Sequence, residues 1–199
     1  MPGRVLVALT GASGAIYGVR CVQRLVQTGH DVDVVLSDAA RKVLAIEHRL
    51  SGDPLSWVDD EHVDHIATHG ADDITAPPAS GSRAPAAMLV VPCSMNSVAR
   101  IASGIADGLI GRAADVMLKQ RLPLVVVPRE TPLSTLHLRN LLTLSELGVA
   151  VVPAMPGFYT QPTTLDDAID FVVDRALQAA GLDAPLREVW RAPSEGEPG

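Results

Sequence analysis

An open, doubly wound parallel sheet covered by helices is the α/β fold class this sequence predicts, on three observations. Short aliphatic runs alternate with helical periodicities from residue 5 to residue 180. Apolar residues make up 47% of the chain but aromatics only 3%, so Val, Leu, Ile and Ala must fill the core. Strands buried on both faces of a parallel sheet have that composition. The first aliphatic run ends in a turn of small residues that opens a helix, and a second strand follows, which is a βαβ unit. A chain of 199 residues suits one domain, expected here over residues 1–190.

Val5–Leu9 reads as a buried strand, and Thr10-Gly11-Ala12-Ser13-Gly14-Ala15 as the turn into a helix from Ile16 to Thr28, closed by Gly29. Asp31–Ser37 is the second strand, with Asp38 placed to cap a helix that runs to about His48. From Ser51 to Pro85 prolines, histidines and acids interrupt every periodicity, and the segment reads as a long functional loop carrying short elements. Ala86–Val91 is the next strand, ending in Pro92-Cys93-Ser94-Met95-Asn96-Ser97 and a helix to about Ser103. A helix over Ala113–Arg121 precedes a strand over Pro123–Val127. Ser134–Leu147 is helical with Gly148 as its cap, and Val149–Val152 is the last strand. Thr164-Leu165-Asp166-Asp167 is a capping box that opens a helix to about Ala180. The Pro-, Glu- and Gly-rich tail over 191–199 is expected to be disordered.

Charge and composition exclude several classes. The net charge is −7 with no long basic run, which makes nucleic acid a poor partner. No apolar stretch approaches a membrane span, and Arg4–Leu9 is too short for the apolar region of a signal peptide. Cys21 and Cys93 have neither metal-site nor disulfide-framework spacing, so a reducing cytoplasm is the expected location.

Ligands of such sheets bind outside the carboxyl ends of the strands. Every unusual segment falls there: Gly11–Ala15, Ser37, Pro92–Ser97, Pro128–Pro132 and Pro153–Tyr159. Gly11-Ala12-Ser13-Gly14 can aim backbone N–H groups and a helix dipole at negative charge; it can equally be a tight turn for helix–sheet packing. Ser13 suits either a cofactor contact or a helix cap. The turn lacks the Lys-Ser/Thr of a P-loop, which argues against nucleotide hydrolysis. Residues 112–139 hold five bases against two acids inside an acidic chain, and a positive pocket in such a setting suits a small anionic ligand. Arg129 and Glu130, flanked by Pro128 and Pro132, read as a positioned pair. Tyr159 suits a phosphate hydrogen bond or a packed loop aromatic. Cys93 has no accompanying His–acid pair and reads as core packing. His62, His65 and His69 share one helical face among acids, which reads as a solvated face rather than a metal site.

Taken together, Thr10–Ala15, Ala76-Pro77-Pro78-Ala79-Ser80-Gly81-Ser82, Pro92–Met95, Arg112-Ala113-Ala114-Asp115, the segment Pro123–Ser134 and Pro153–Tyr159 resemble the flavin prenyltransferase family, the UbiX/Pad group. The resemblance runs from about residue 4 to residue 182. It implies a flavodoxin-like Rossmann three-layer sandwich that joins a dimethylallyl group from dimethylallyl monophosphate, or in some members the diphosphate, to N5 and C6 of reduced FMN. The prenylated FMN then serves a UbiD-type decarboxylase. By motif position, Gly11, Ala12, Ser13, Ser37, Ser94, Met95, Asn96, Ser97 and Arg129 hold FMN. Ser80, Gly81, Arg112, Lys119, Glu130, Tyr159 and Arg175 surround the prenyl phosphate. Ser13, Glu47, Glu130 and Tyr159 are the catalytic set, with Glu47 and Ser13 moving protons near flavin N5. The family assembles as homododecamers with sites at subunit contacts. No acidic metal-binding motif is present, so the basic cluster takes the place of magnesium. The stretch Asp73-Ile74-Thr75 stands where relatives often carry an aromatic, which alters one wall of the prenyl pocket. An FMN-dependent decarboxylase and a non-catalytic flavin carrier are the competing functions.

Overall fold

The computed structural model describes residues 3–182; the expected tail and the end of the domain assignment lie outside them. Six strands form one sheet: β1 (Val5–Leu9), β2 (Val32–Leu36), β3 (Ile66–His69), β4 (Ala87–Cys93), β5 (Leu124–Pro128) and β6 (Ala150–Val151). Their order is β3-β2-β1-β4-β5-β6, and every pairing is parallel. Without the short edge strand β3 the order is that of a flavodoxin-like sheet. Every residue of β1, β2, β4 and β5 is buried, which explains why their sequences are largely aliphatic, with Asp33 in β2 as the charged exception.

Three helices cover each face. α1 (Ile16–Gln27), α2 (Asp38–His48) and α6 (Leu165–Ala179) enclose a core with Val5, Val7 and Leu9. α3 (Met95–Ala102), α4 (Leu109–Gln120) and α5 (Thr135–Glu146) enclose another with Leu6, Ala8 and Met88. A fully buried leucine such as Leu6 or Leu9 contributes about 2 kcal/mol. Between α1 and α6 lies an ionic ladder built on the buried carboxylates Asp170 and Asp174. Arg20 bonds Asp166 at 2.9 Å and Asp170 at 2.8 Å, and Arg24 meets Asp174 at 3.2 Å.

Four expectations need correction. The segment 51–85 holds a sheet strand, β3, besides several single 3-10 turns. Ser37, not Asp38, caps α2, its Oγ accepting from the Ala40 amide at 3.1 Å. α4 begins at Leu109 rather than Ala113, because Gly108 in extended conformation leads into it. The three histidines do not share a helical face, since His62 and His65 lie in a 3-10 segment and His69 in β3. Two of them tie the sheet edge together: His65 Nδ1 lies 2.8 Å from Asp31 and His69 Nε2 lies 2.9 Å from Asp33. Asp33 is buried in β2 and also accepts from Arg4 Nε at 3.0 Å. Asp59, Glu61 and His62 do lie close together, but both acids are exposed, as for a solvated face.

Candidate functional site

The sheet reverses its winding between β1 and β4, so the loops after these strands diverge and leave a crevice. Thr10, buried at the end of β1, spans the crevice floor. Its Oγ1 donates to the Pro92 carbonyl at 2.9 Å and accepts from the Ser94 amide at 2.7 Å. No role was foreseen for Thr10; its only sequence signal is its place directly after the first strand.

Gly11 follows, where a Cβ would stand 2.4 Å from Ala39 Cβ. The turn therefore lies directly against the first turn of α2. Ser37 Oγ caps α2, and Ser94 Oγ caps α3 by accepting from the Ser97 amide at 3.2 Å. Two helix N-termini thus converge on a cleft of about 400 Å³ lined by Thr10, Gly11, Ser37, Ser94, Asn96 and Ser97. Hydroxyls, amides and two positive dipole ends together make an anion-binding wall. Met95, between Ser94 and Asn96 in sequence, is buried in the core rather than in the cleft lining.

On the other side of the turn, Gly14 has φ +90° and its amide donates to Glu47 Oε2 at 2.8 Å. Burial pushes the Glu47 carboxyl up, but hydrogen bonds from the Ser13 hydroxyl and the Gly14 and Ala15 amides, with His48 nearby, outweigh it and hold the group below its ordinary value. Ser13 is therefore the donor to Glu47, while α1 has Ala15 at its N-cap position and no side-chain cap. Arg129 Nε donates to the Ser13 carbonyl at 3.1 Å, and Glu130 accepts from the Thr131 amide at 3.0 Å. The expected Arg129–Glu130 pair is corrected accordingly: adjacent side chains at this strand end reach different partners. Tyr17 joins this group unforeseen, its phenol raised by burial against an opposing pull from Arg129.

The remaining expected residues form two further groups. Arg175 Nη2 donates to the Tyr159 hydroxyl at 3.1 Å, and the Tyr159 ring meets Phe171 edge-on at 5.8 Å. Arg112 Nε donates to the Ala79 carbonyl at 3.3 Å, while its Nη1 bonds Asp115 at 3.2 Å. This fixes the loop carrying Ser80 and Gly81 against α4, where a Cβ on Gly81 would stand 3.7 Å from Lys119 Cε. Among the described residues no hydrogen bond or ion pair joins Arg112 or Lys119 to Tyr159 or Arg175. Cys93 is fully buried and its thiol is raised by desolvation, which leaves it a packing residue.

The flavoprotein family model matches residues 2–177. The flavin prenyltransferase UbiX of Halalkalibacterium halodurans is 45% identical over 94% of this chain and 93% of its own length. The chain belongs to the flavin prenyltransferase family. A structure of AnUbiX (PadA1) in complex with FMN and dimethylallyl pyrophosphate matches at TM-score 0.89 and 37% identity, over 98% of this chain and all of that one. A dodecameric FMN-dependent UbiX-like decarboxylase from Escherichia coli O157:H7 matches at TM-score 0.87 and 42% identity, over 95% of this chain and all of that one. In this flavin prenyltransferase chain the cleft fits a flavin phosphate on structural grounds. The turn at Gly11 has no room for a side chain, so it offers backbone, and hydroxyls from three strand ends face the same space.

Proposed function

We propose that this protein transfers a dimethylallyl group from a dimethylallyl phosphate to reduced FMN, forming the new bonds at N5 and C6. The observation that carries this reading is the anchored Glu47 carboxylate, held by Ser13 and the Gly14 amide on the same turn that Arg129 braces. Reduced FMN, when bound, supplies the two nucleophilic centres. Ser37 and Ser94–Ser97 hold its phosphate end; Gly11, Ala12, Ser13 and Arg129 hold the ring end. Glu47, ionised at neutral pH, accepts a proton relayed through the Ser13 hydroxyl. As the prenyl C–O bond breaks, its electron pair leaves with the phosphate. Arg112, Lys119 and Arg175, with the Tyr159 hydroxyl, stabilise that growing charge, and Ser80, Gly81 and Glu130 shape the same pocket. Holding donor and acceptor in register supplies much of the remaining rate. Because the Arg112 and Tyr159 groups do not meet within one subunit, a homo-oligomer, a dodecamer in this proposal, brings them together. The product goes to a UbiD-type decarboxylase in the cytoplasm; among the described residues no helix is long and apolar enough to cross a membrane.

The decisive experiment is anaerobic. Protein, reduced FMN and dimethylallyl monophosphate or diphosphate are mixed, and the extracted flavin is weighed by mass spectrometry. A flavin heavier by one C5H8 unit is expected. An unmodified flavin on protein that binds FMN overturns the proposal. Carbon dioxide released from an aromatic acid without any partner then identifies a decarboxylase, and its absence a carrier.

A further inference from the structure

The cleft between β1 and β4 contains one basic side chain, Arg100, to which no role has yet been given. It lies on α3, one turn after Asn96 and three residues after Ser97. It lines the same cleft as Ser94, Asn96 and Ser97. Its Nη2 pairs with Asp107, on the connection between α3 and α4. That connection is tightly held. The Ile105 amide donates to the Arg100 carbonyl at 2.9 Å, and the Leu109 amide donates to the Ala71 carbonyl at 2.7 Å. A Cβ on Gly111 would stand 2.7 Å from the Ile105 carbonyl oxygen. The backbone on either side of Asp107 is therefore held in place beside the cleft.

We propose that Arg100, aimed by Asp107, is the cation that pairs with the flavin phosphate and makes the site select FMN over riboflavin. The inference rests on the reading that this cleft holds the phosphate end of FMN. The full charges lining the cleft are Arg100, Asp72 and Asp107. A phosphate monoester carries about −1.5 to −2 at pH 7. The hydroxyls of Ser37, Ser94 and Ser97 and the two helix ends offer only partial positive charge, so without Arg100 the dianion would face two carboxylates and no full positive charge in the cleft. A guanidinium has five N–H donors arranged as a fork. The edge on Asp107 neutralises that carboxylate, and the other edge takes phosphate oxygens. Arg129 serves the opposite side of the turn, on the Ser13 carbonyl.

The test is a fluorescence titration of the full-length, flavin-depleted protein with FMN and, separately, with riboflavin. Arg100→Gln is expected to raise the Kd for FMN at least tenfold, the loss of a charge-assisted hydrogen bond, and to leave the Kd for riboflavin unchanged. Asp107→Asn, which keeps the cation but not its aim, is expected to raise the FMN value by less, again without touching riboflavin. Equal weakening of both flavins by Arg100→Gln would show a structural role and overturn the proposal. Ser37→Ala separates the remaining cases. If it weakens FMN selectively while Arg100→Gln and Asp107→Asn change nothing, the cleft holds the phosphate and Arg100 is not its partner. If none of the three variants alters FMN relative to riboflavin, the phosphate lies elsewhere and the underlying reading fails too.

Discussion

At Glu47 desolvation and hydrogen bonding pull in opposite directions, and hydrogen bonding wins. The carboxylate is therefore kept ready to accept a proton at neutral pH rather than to donate one. Glu47→Gln is expected to retain FMN in an equilibrium titration while slowing prenyl transfer by about 10²–10⁴, the usual worth of a positioned proton acceptor. In the wild type, transfer should hold steady down to the ordinary carboxylate range and fall only as pH drops through the lowered Glu47 value; a rate loss already at pH 6–7 would assign the base elsewhere. Thr10 tests the architecture instead of the chemistry. Thr10→Val leaves the Ser94 amide without its acceptor in a buried place and should cost about 1–3 kcal/mol in a urea titration. Much at this scale was legible in the sequence, because glycine, serine and arginine clustered at successive strand ends. Arg129 and Glu130 were misread as partners because adjacency in sequence says nothing about direction at a strand end. Arg100 was unreadable as a site residue until the α3–α4 connection folded Asp107 back against it.

Helix α6 shows what an element adds. Its first turn is fixed by a capping box in which the hydroxyl and amide of Thr164, with those of Thr163, pull the Asp167 carboxyl down to about 2. A lowered carboxylate stabilises the fold above its unfolded value and loses that contribution as pH falls through the folded one. The α6 N-terminus should therefore keep slow amide exchange at pH 5 and fray between about pH 4 and pH 2; protection unchanged at pH 2 would contradict the assignment. Further along, the ladder with Arg20 and Arg24 sets the register of α6 on α1, and so the place of Arg175, the residue after Asp174. Asp170→Ala removes the buried carboxylate that both guanidiniums share, leaving Arg20 with Asp166 and Arg24 with Asp174, and is expected to cost about 1–3 kcal/mol by chemical denaturation. The capping box was legible because it is local. The ladder was not, because its two stripes lie nearly 150 residues apart, though Arg20/Arg24 and Asp166/Asp170/Asp174 each have helical spacing. β3 escaped notice for a related reason: four residues, Ile-Ala-Thr-His, lie at a sheet edge where the aliphatic pattern is not required.

For the whole molecule, the conspicuous surface feature is α5, whose only buried residue is Leu144. Leu136, Leu138 and Leu142 on the same helix are 64%, 53% and 58% exposed. Apolar surface of this kind suits contact with a second copy, and the proposed dodecamer must cover such surface somewhere. Light scattering on Leu138→Glu combined with Leu142→Glu is expected to give a smaller species than the parent; an unchanged mass would move the contact to another face. The crossing of β1 against β4 has a consequence for how the chain is made. Thr10 waits for a carbonyl 82 residues away and an amide 84 residues away. During synthesis the first three strands can pair while one edge of β1, entirely aliphatic, lies open until β4 leaves the ribosome. Flavin capture thus follows closure of the sheet, and a chain released before residue 93 carries a sticky edge and half a pocket.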